Sequence, residues 1–282
     1  MSMTTRFAPS PTGYLHLGHA AAALIGYGHA RATGGRFLLR IEDIDTARCR
    51  ACYTEAILAD LAWLGLEWDG APRIQSAHFA AYRAALDQLA AMGLLYPCFC
   101  SRAEIAAALG APHGAGAVYP GTCRHLDPAF AADRMARGDA YALRLRTDAA
   151  LSQTGPVRYH EAGEGWISGD AAACGDIVLA RKDAPCSYHL CVTHDDALQG
   201  VTLVTRGADL RDTTPIQVVL QRLFGWPTPG YAHHALLTDA AGRRLAKRDR
   251  AATLRDLRDG GVTPEQVRKI ISCRIGNIAS LS

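Results

Sequence analysis

Four groups of residues in this 282-residue chain have types and spacings that could do chemistry. The first is His16-Leu17-Gly18-His19, which follows a Pro/Ser/Thr/Gly turn, Pro9-Ser10-Pro11-Thr12-Gly13, and opens an Ala- and Leu-rich run. Such a turn before such a run predicts a helix over residues 17–33, closed by Gly34-Gly35. Its positive end and unsatisfied N–H groups favour an anion in the loop above it. Histidines three apart share a face of the first turn, and Gly18 has no Cβ to hold off a flat ring or a phosphate. This combination suits a nucleotide, with adenine against Gly18 and imidazoles beside the phosphates.

The second group is made of charges at predicted strand ends. Residues 36–42, Arg-Phe-Leu-Leu-Arg-Ile-Glu, read as a buried parallel strand, and residues 201–207, ending Thr205-Arg206-Gly207, read as another. Ligand crevices of open α/β sheets lie beyond the carboxyl ends of strands, which directs Arg6, Glu42 and Arg206 toward one pocket. A carboxylate such as Glu42 could pair with an ammonium group, although partners at Arg48 or Arg50 are the plainer use. A guanidinium such as Arg206, with Arg6, could grip a carboxylate in two-pronged fashion, the plain alternative being a bridge to Asp209 or Asp212.

Third, Cys98 and Cys100 on a strand-like run, with Cys123 after a Gly/Pro/His loop, can give three thiolates to a tetrahedral Zn²⁺. Chemistry alone leaves the fourth ligand open among His113, His125 and Tyr119. Cys49 and Cys52, by contrast, fall on a helical pattern with no strand before it and read as ordinary thiols. The fourth group, Gly242-Arg243-Arg244-Leu245-Ala246-Lys247-Arg248-Asp249-Arg250, is a cationic loop able to clamp a triphosphate or simply to be a basic surface.

Around these groups the pattern is α/β. Strand, helix, strand at the N-terminus implies a right-handed crossover. Amphipathic helices are predicted over 51–64 and 77–92, and a short helix over 102–109. Short alternating runs at 140–146 and 157–159 sit in a turn-rich stretch, and the α/β rhythm is expected to resume at residues 176–183. Helices then follow over 188–198 and over 216–224, with Pro215 in the tolerated first turn, and weaker helical patterns close the chain at 254–259 and 264–272. A net charge of +3 neither requires nor excludes a nucleic-acid partner. With no run of eighteen apolar residues, no apolar signal core and nine scattered cysteines, a cytoplasmic protein with reduced thiols, away from membranes, is expected.

The motifs also carry a resemblance. Arg6-Phe7-Ala8-Pro9-Ser10-Pro11-Thr12-Gly13 followed by His16-Leu17-Gly18-His19 resembles the "HIGH" signature of class I aminoacyl-tRNA synthetases in its glutamyl form. Arg40-Ile41-Glu42-Asp43-Ile44-Asp45 is similar to that family's "RIEDTD", Ala184-Pro185-Cys186-Ser187-Tyr188-His189-Leu190 to its "PxYHLA", and Arg206-Gly207-Ala208-Asp209-Leu210 to its "RGxDL". The spacing Cys-x-Cys then Tyr-x-x-x-Cys resembles the zinc subdomain of glutamyl-queuosine tRNA(Asp) synthetases. That implies Tyr119 beside Cys98, Cys100 and Cys123, with His125 the alternative. The cationic loop stands where the family has "KMSKS", in its glutamyl-queuosine form "KLSKQ". Lys247 takes the place of the second lysine, while Arg244 and Ala246 replace the first lysine and the serine.

The resemblance implies a Rossmann-like parallel sheet split by a zinc-containing insertion, with a short helical C-terminal segment. The implied division is residues 1–93 and 170–238 for the two halves of the catalytic domain, 94–169 for the insertion, and 239–282 for the loop and tail. It implies glutamate held by Arg6, Glu42, Tyr188 and Arg206, with Phe7, Ala8, Pro9 and Ser10 in the same site. It places Mg²⁺·ATP at His16, Gly18, His19 and Lys247, the two histidines and the lysine being catalytic. The expected reaction makes glutamyl-adenylate without tRNA, then passes glutamate to queuosine in the anticodon loop of tRNA(Asp), by a monomer. The tail is too short for the helical anticodon-binding half of an ordinary glutamyl-tRNA synthetase. A truncated synthetase charging tRNA(Glu), an adenylyltransferase acting on another acid and a non-catalytic zinc-stabilised tRNA-binding module are the alternatives.

Overall fold

A computed structural model describes residues 2–101, 103–105, 118–237 and 252–275. The chain opens with β1 (Thr4–Phe7), α1 (Leu17–Ala32) and β2 (Arg36–Ile41), and β1 and β2 pair in parallel. Helix α2 (Ala51–Trp63) leads to β3 (Arg73–Ile74), parallel to β2, and a short 3₁₀ turn, Gln75–His78, precedes α3 (Phe79–Ala91). The apolar pattern over 77–92 thus covers two elements, because the chain breaks at His78 before the α-helical turns begin.

The second parallel group is built around β9 (Leu203–Gly207) and β10 (Gly230–His234), with β6 (Val157–Glu161) beside β10 and β7 (Gly165–Gly169) folded back on β6 as an antiparallel edge. The two groups meet where the Thr202 N–H donates to the Thr4 carbonyl at 2.9 Å and Thr4 N–H donates to Thr202 Oγ1, also at 2.9 Å. Helices α6 (Tyr188–Leu198) and α7 (Thr214–Leu223) cover this half, Pro215 sitting in the first turn of α7 as expected.

A separate antiparallel sheet is formed by β4 (Leu95–Cys98), β5 (Ala142–Leu145) and β8 (Val178–Ala180), accompanied by α4 (Pro128–Ala136) and α5 (Thr147–Thr154). Residues 176–183 therefore do not resume the parallel sheet: only three of them are strand, and they pair antiparallel with β5. A three-residue apolar run carries no information about its partner, and Asp176, which accepts from Tyr96 Oη at 2.7 Å and from Thr147 N–H at 3.0 Å, anchors the run to this smaller sheet. Conversely, the hairpin β6–β7 joins the parallel group.

Helices α8 (Leu254–Asp259) and α9 (Pro264–Ile275) close the described chain, where weak helical patterns stood. Leu254, Val267 and Ile271 are fully buried with Leu24, Leu39 and Leu61, so the tail packs on the first half-domain. A second core joins α3, α6 and α7 through Leu89, Leu190 and Val218, and a third gathers Tyr96, Phe99, Tyr119 and Ala131 around the cysteines. The α/β arrangement expected from the sequence is the one observed, and no described helix is long and apolar enough to cross a membrane.

Candidate active site

The C-terminal ends of β1, β2 and β9 face a cleft of about 310 Å³. Arg6, Phe7, Ala8, Pro9, Ser10, Glu42, Tyr188 and Arg206 all line it, together with His19 from α1. The eight positions expected to share one site thus converge on one cavity, since parallel strands put their ends on one edge and α6 delivers its first residue, Tyr188, to the same edge. Thr12, Ala22, Thr205, Gly207 and Leu210 complete the wall; Thr12, Gly207 and Leu210 belong to the motif strings but were given no role there, and Ala22 and Thr205 lie outside the motifs.

Charges in the cleft are organised by a residue no motif flagged. Asp196, on α6, accepts two bonds from Arg6, at 2.9 Å from Nε and 3.2 Å from Nη2, and one from Arg40 Nη1 at 2.8 Å. Arg40 is fully buried and turns its Nη2 to Glu42 Oε1 at 3.2 Å. Burial works against ionisation of Asp196, yet Arg6 and Arg40 together hold its carboxyl below the usual range. Burial prevails at Glu42 and pushes its carboxyl up, against the pull of Arg40 and Arg6. Tyr188, at the same wall, is also raised by burial.

Arg206 is held differently. Its Nη1 donates to Gln217 Oε1 at 2.7 Å, its Nη2 to Thr214 Oγ1 at 2.6 Å and its Nε to His233 Nε2 at 3.1 Å. These partners are neutral: His233 takes the bond on Nε2 because its Nδ1 side faces Glu161 at 2.7 Å. Neither Asp209 nor Asp212 bridges to it, and among the described residues Arg206 makes no ion pair with a carboxylate. Arg6 and Arg40 are thus paired with Glu42 and Asp196, whereas the buried carboxylate linked to Arg206, Glu161, reaches it only through His233. A buried guanidinium without a direct anionic partner is a costly state that an entering anion relieves.

At the start of α1 the two histidines do more than face the open cleft. His16 caps α1: its Nδ1 accepts from Gly18 N–H at 3.1 Å, while His19 Nδ1 accepts from His16 N–H at 3.2 Å, and the rings lie 3.9 Å apart. Two of the N–H groups expected to meet an anion are therefore engaged by imidazoles. Gly18 is needed here, since a Cβ would come within 2.9 Å of the His16 ring. Because each Nδ1 is an acceptor, a neutral ring carries its proton on Nε2, a donor suited to phosphate oxygen. His16, Gly18 and His19 border a second pocket of about 210 Å³ with Gly207, Asp209 and Leu237. The residues after the cationic loop return to this point, where Thr253 bridges His16 and Leu254 N–H donates to Leu15. Lys247, Arg244 and Ala246 lie outside the described residues.

The cysteine cluster forms in the third core. The sulfurs of Cys98, Cys100 and Cys123 lie within 4.8 Å of one another, and no described histidine joins them at that spacing. Tyr119 Oη is 3.6 Å from Cys100 Sγ and accepts from Cys123 N–H at 2.8 Å, so the phenol is at the cluster; His125 is exposed and His113 is outside the described residues. Three crowded sulfurs and a phenol form a donor set that fits a tetrahedral metal ion.

Residues 2–279 match the family described as "tRNA synthetases class I (E and Q), catalytic domain". A "Glutamyl-Q tRNA(Asp) synthetase" from Rhodobacter capsulatus is 50% identical over 95% of this chain and 99% of its own length. Another protein of that name, from Symbiobacterium thermophilum, is 45% identical over 98% and 85%. The chain belongs to the glutamyl-Q tRNA(Asp) synthetase family. Its fold is also that of longer enzymes in the class: a glutamate-tRNA synthetase from Elizabethkingia anophelis superposes with a TM-score of 0.82 at 25% identity, covering all of this chain but 65% of the other. A glutamate tRNA ligase from Elizabethkingia meningosepticum, solved with its amino acid, gives 0.75 at 28% identity over 88% of this chain and 52% of that one. This chain therefore corresponds to about two thirds and about half of those two longer proteins, and the first of them shares all of it, the cleft included.

His189, next to Tyr188, reports on the charge of the cleft. Burial and the nearby Arg206 guanidinium lower its pKa to about 4. Protons bind the unfolded imidazole more tightly, so this residue's contribution to stability is complete above about pH 6.5 and is lost as pH falls toward 4. Denaturant melts across that window are expected to show a stability loss that His189→Gln reduces; an unchanged slope in the variant would contradict a buried neutral His189.

Proposed function

We propose that this protein activates glutamate with Mg²⁺·ATP to form glutamyl-adenylate and pyrophosphate, without needing tRNA for that step, and then transfers glutamate to queuosine in the anticodon loop of tRNA(Asp). The observation that carries the reading is Arg206, a buried guanidinium at the end of β9 that has only neutral partners. A glutamate side chain supplies the missing negative charge, and its planar carboxylate fits the two-pronged geometry of a guanidinium. The near full-length relatives that carry the glutamyl-Q name support the same acceptor.

The roles follow from the geometry. The γ-carboxylate sits at Arg206, and Glu42 takes the α-ammonium group, which restores an ionised carboxylate where burial disfavours one. Arg6 and Tyr188 shape the wall together with Phe7, Ala8, Pro9 and Ser10. The α-carboxylate then points toward the His16–His19 end, where one of its oxygens attacks the α-phosphorus of ATP and pyrophosphate departs. His16 and His19 donate from Nε2 to phosphate oxygens, Gly18 borders the base, and Lys247 neutralises charge on the leaving group. Such phosphoryl chemistry depends on positioning and charge stabilisation. In the second step a hydroxyl of the modified base attacks the activated carbonyl and AMP leaves. The halves of the catalytic body at residues 1–93 and 170–238, the insertion at 94–169 and the tail at 239–282 are the division of labour that goes with this reading, in a soluble cytoplasmic monomer.

The cysteine site is read as structural zinc, held by Cys98, Cys100, Tyr119 and Cys123. Tyr119 is preferred to His125 because its phenol oxygen is already at the sulfurs, with the Arg144 guanidinium 3.7 Å from the centre of its ring.

Glutamate-dependent ATP–pyrophosphate exchange in the absence of tRNA tests the first step. Arg206→Ala is expected to raise the KM for glutamate by roughly a hundredfold while leaving that for ATP nearly unchanged. Equal losses for both substrates would make Arg206 a structural residue. Elemental analysis of the purified protein is expected to find about one zinc per chain, with Cys98→Ser losing both metal and thermal stability. Metal-free protein of undiminished stability would rule the zinc out.

A further inference from the structure

On the outer face of the β6–β7 hairpin stands a large aromatic that the folded chain leaves uncovered. Trp166 is 64% exposed, the most exposed of the large apolar side chains among the described residues. Pairing of His160 with Trp166 and of Arg158 with Ser168 puts these four residues on one face, and burial alternates accordingly along both strands. The opposite face, with Val157, Tyr159 and Ile167, packs into the core. The Arg158 guanidinium lies 5.8 Å from the centre of the Trp166 ring, and the His160 ring meets the indole edge-on at 5.8 Å. Among the described residues, Arg158 makes no ion pair and neither it nor His160 has a hydrogen-bonding side-chain partner.

This face thus combines one indole, one fixed cation, one imidazole and a serine, with no carboxylate among them. The hairpin's own acids are engaged elsewhere: Glu161 points inward to His233, and Glu164 pairs with Arg211 at 2.6 and 2.7 Å. An exposed ring beside a guanidinium is complementary to an unpaired nucleotide, whose base stacks while a flanking phosphate meets Arg158. A protein partner would instead call for an apolar patch ringed by polar groups, which a lone tryptophan between Gly165, Ser168 and Gly169 does not supply.

The placement suits a substrate that must also reach the cleft. β6 runs parallel to β9 and β10, so its last residue, Glu161, is at the ligand end of the sheet and is linked through His233 to Arg206. Trp166 stands across from His160, one position back from that end. We propose that Trp166, flanked by Arg158 and His160, is a stacking platform for an unpaired base of the RNA loop presented to the active site. This inference rests on the reading of a tRNA loop as acceptor. It adds a contact by which the body described here could grasp that loop.

Direct binding separates the two claims. A fluorescein-labelled anticodon stem-loop of tRNA(Asp) is titrated with the full chain by anisotropy at several salt concentrations, alongside the tRNA-free exchange assay. Trp166→Ala is expected to raise Kd by roughly fivefold to a hundredfold, the worth of one stacked base, and Trp166→Phe to recover most of the loss. Arg158→Ala is expected to reduce the salt slope by about 0.7. Exchange activity stays at the wild-type level in all three variants. A Trp166→Ala Kd indistinguishable from wild type, absence of stem-loop binding by the wild-type chain, or a concentration-dependent dimer abolished by Trp166→Ala would each overturn the platform. Loss of exchange activity in the wild-type chain would instead fall on the functional reading, whatever the stem-loop titration gives.

Discussion

Asp196 shares its carboxylate between two buried guanidiniums, and the geometry of the cleft depends on that arrangement. Arg6 comes from β1, Arg40 from β2 and Asp196 from α6, so this one group ties together the first strand, its neighbour and the helix that carries Tyr188. Each of these charges would be expensive to bury alone, and removing one partner from such a group typically costs about 3–5 kcal/mol because the others are left uncompensated. Pairing fixes Arg6 against the sheet, so it is the wall of the cleft that it contributes. Arg206, one strand along, is left with neutral groups as its direct partners and with Glu161 one imidazole away.

The rest of the body serves to keep the two ends of that cleft in register. Helix α1 starts at the His16–His19 cap and runs beneath β9, with Thr5 Oγ1 donating to Gly26 O at 2.7 Å and Gly26 leaving only enough room for Thr205. The tail helices do not extend the molecule toward a distant partner. They are packed on the first half-domain and bring Thr253 to His16, so Leu237 and Thr253, on either side of the segment that includes Lys247, are both at the pocket beside His16 and His19. The cysteine cluster lies in a separate small core with Tyr96, Phe99 and Tyr119, while Leu145 and Leu179 of the antiparallel sheet pack into the main core; in the small core a bound metal ion would substitute for the hydrophobic area that so few residues can bury.

Much of this was legible in the residues. The strand, turn and helix around His16 follow from an apolar start, a Pro/Gly turn and an uninterrupted Ala/Leu run, and the strand-end positions of Arg6, Glu42 and Arg206 follow from the rules of open sheets. The cysteine set was legible from spacing, because a Cys-x-Cys pair in extended chain puts two thiols on one side, although β4 ends at Cys98 and Cys100 follows it. What was hidden is instructive. Asp195 and Asp196 look like the polar face of an amphipathic helix, and nothing local says that both are buried: Asp195 accepts from Tyr82 Oη at 2.7 Å and Gln75 Nε2 at 3.0 Å and faces Arg73. Histidines are uncommon helix caps, so His16 read as a ligand group alone. The strand at Val178–Ala180 was assigned to the wrong sheet, since pairing partners of short runs are decided by distant residues, here Asp176 and its bonds to Tyr96 and Thr147.

Whether Arg206 is a cation that waits for a carboxylate is read more directly from ligand affinity than from catalysis. Calorimetric titration of the unmodified protein with glutamate and with glutamine, which are nearly identical in shape and differ in side-chain charge, measures the preference at equilibrium. Glutamate is predicted to bind more tightly by about tenfold or more, the consequence of neutralising a buried guanidinium. Equal affinity for the two amino acids, or a preference for glutamine, would contradict a cleft organised around a guanidinium that has no carboxylate partner of its own.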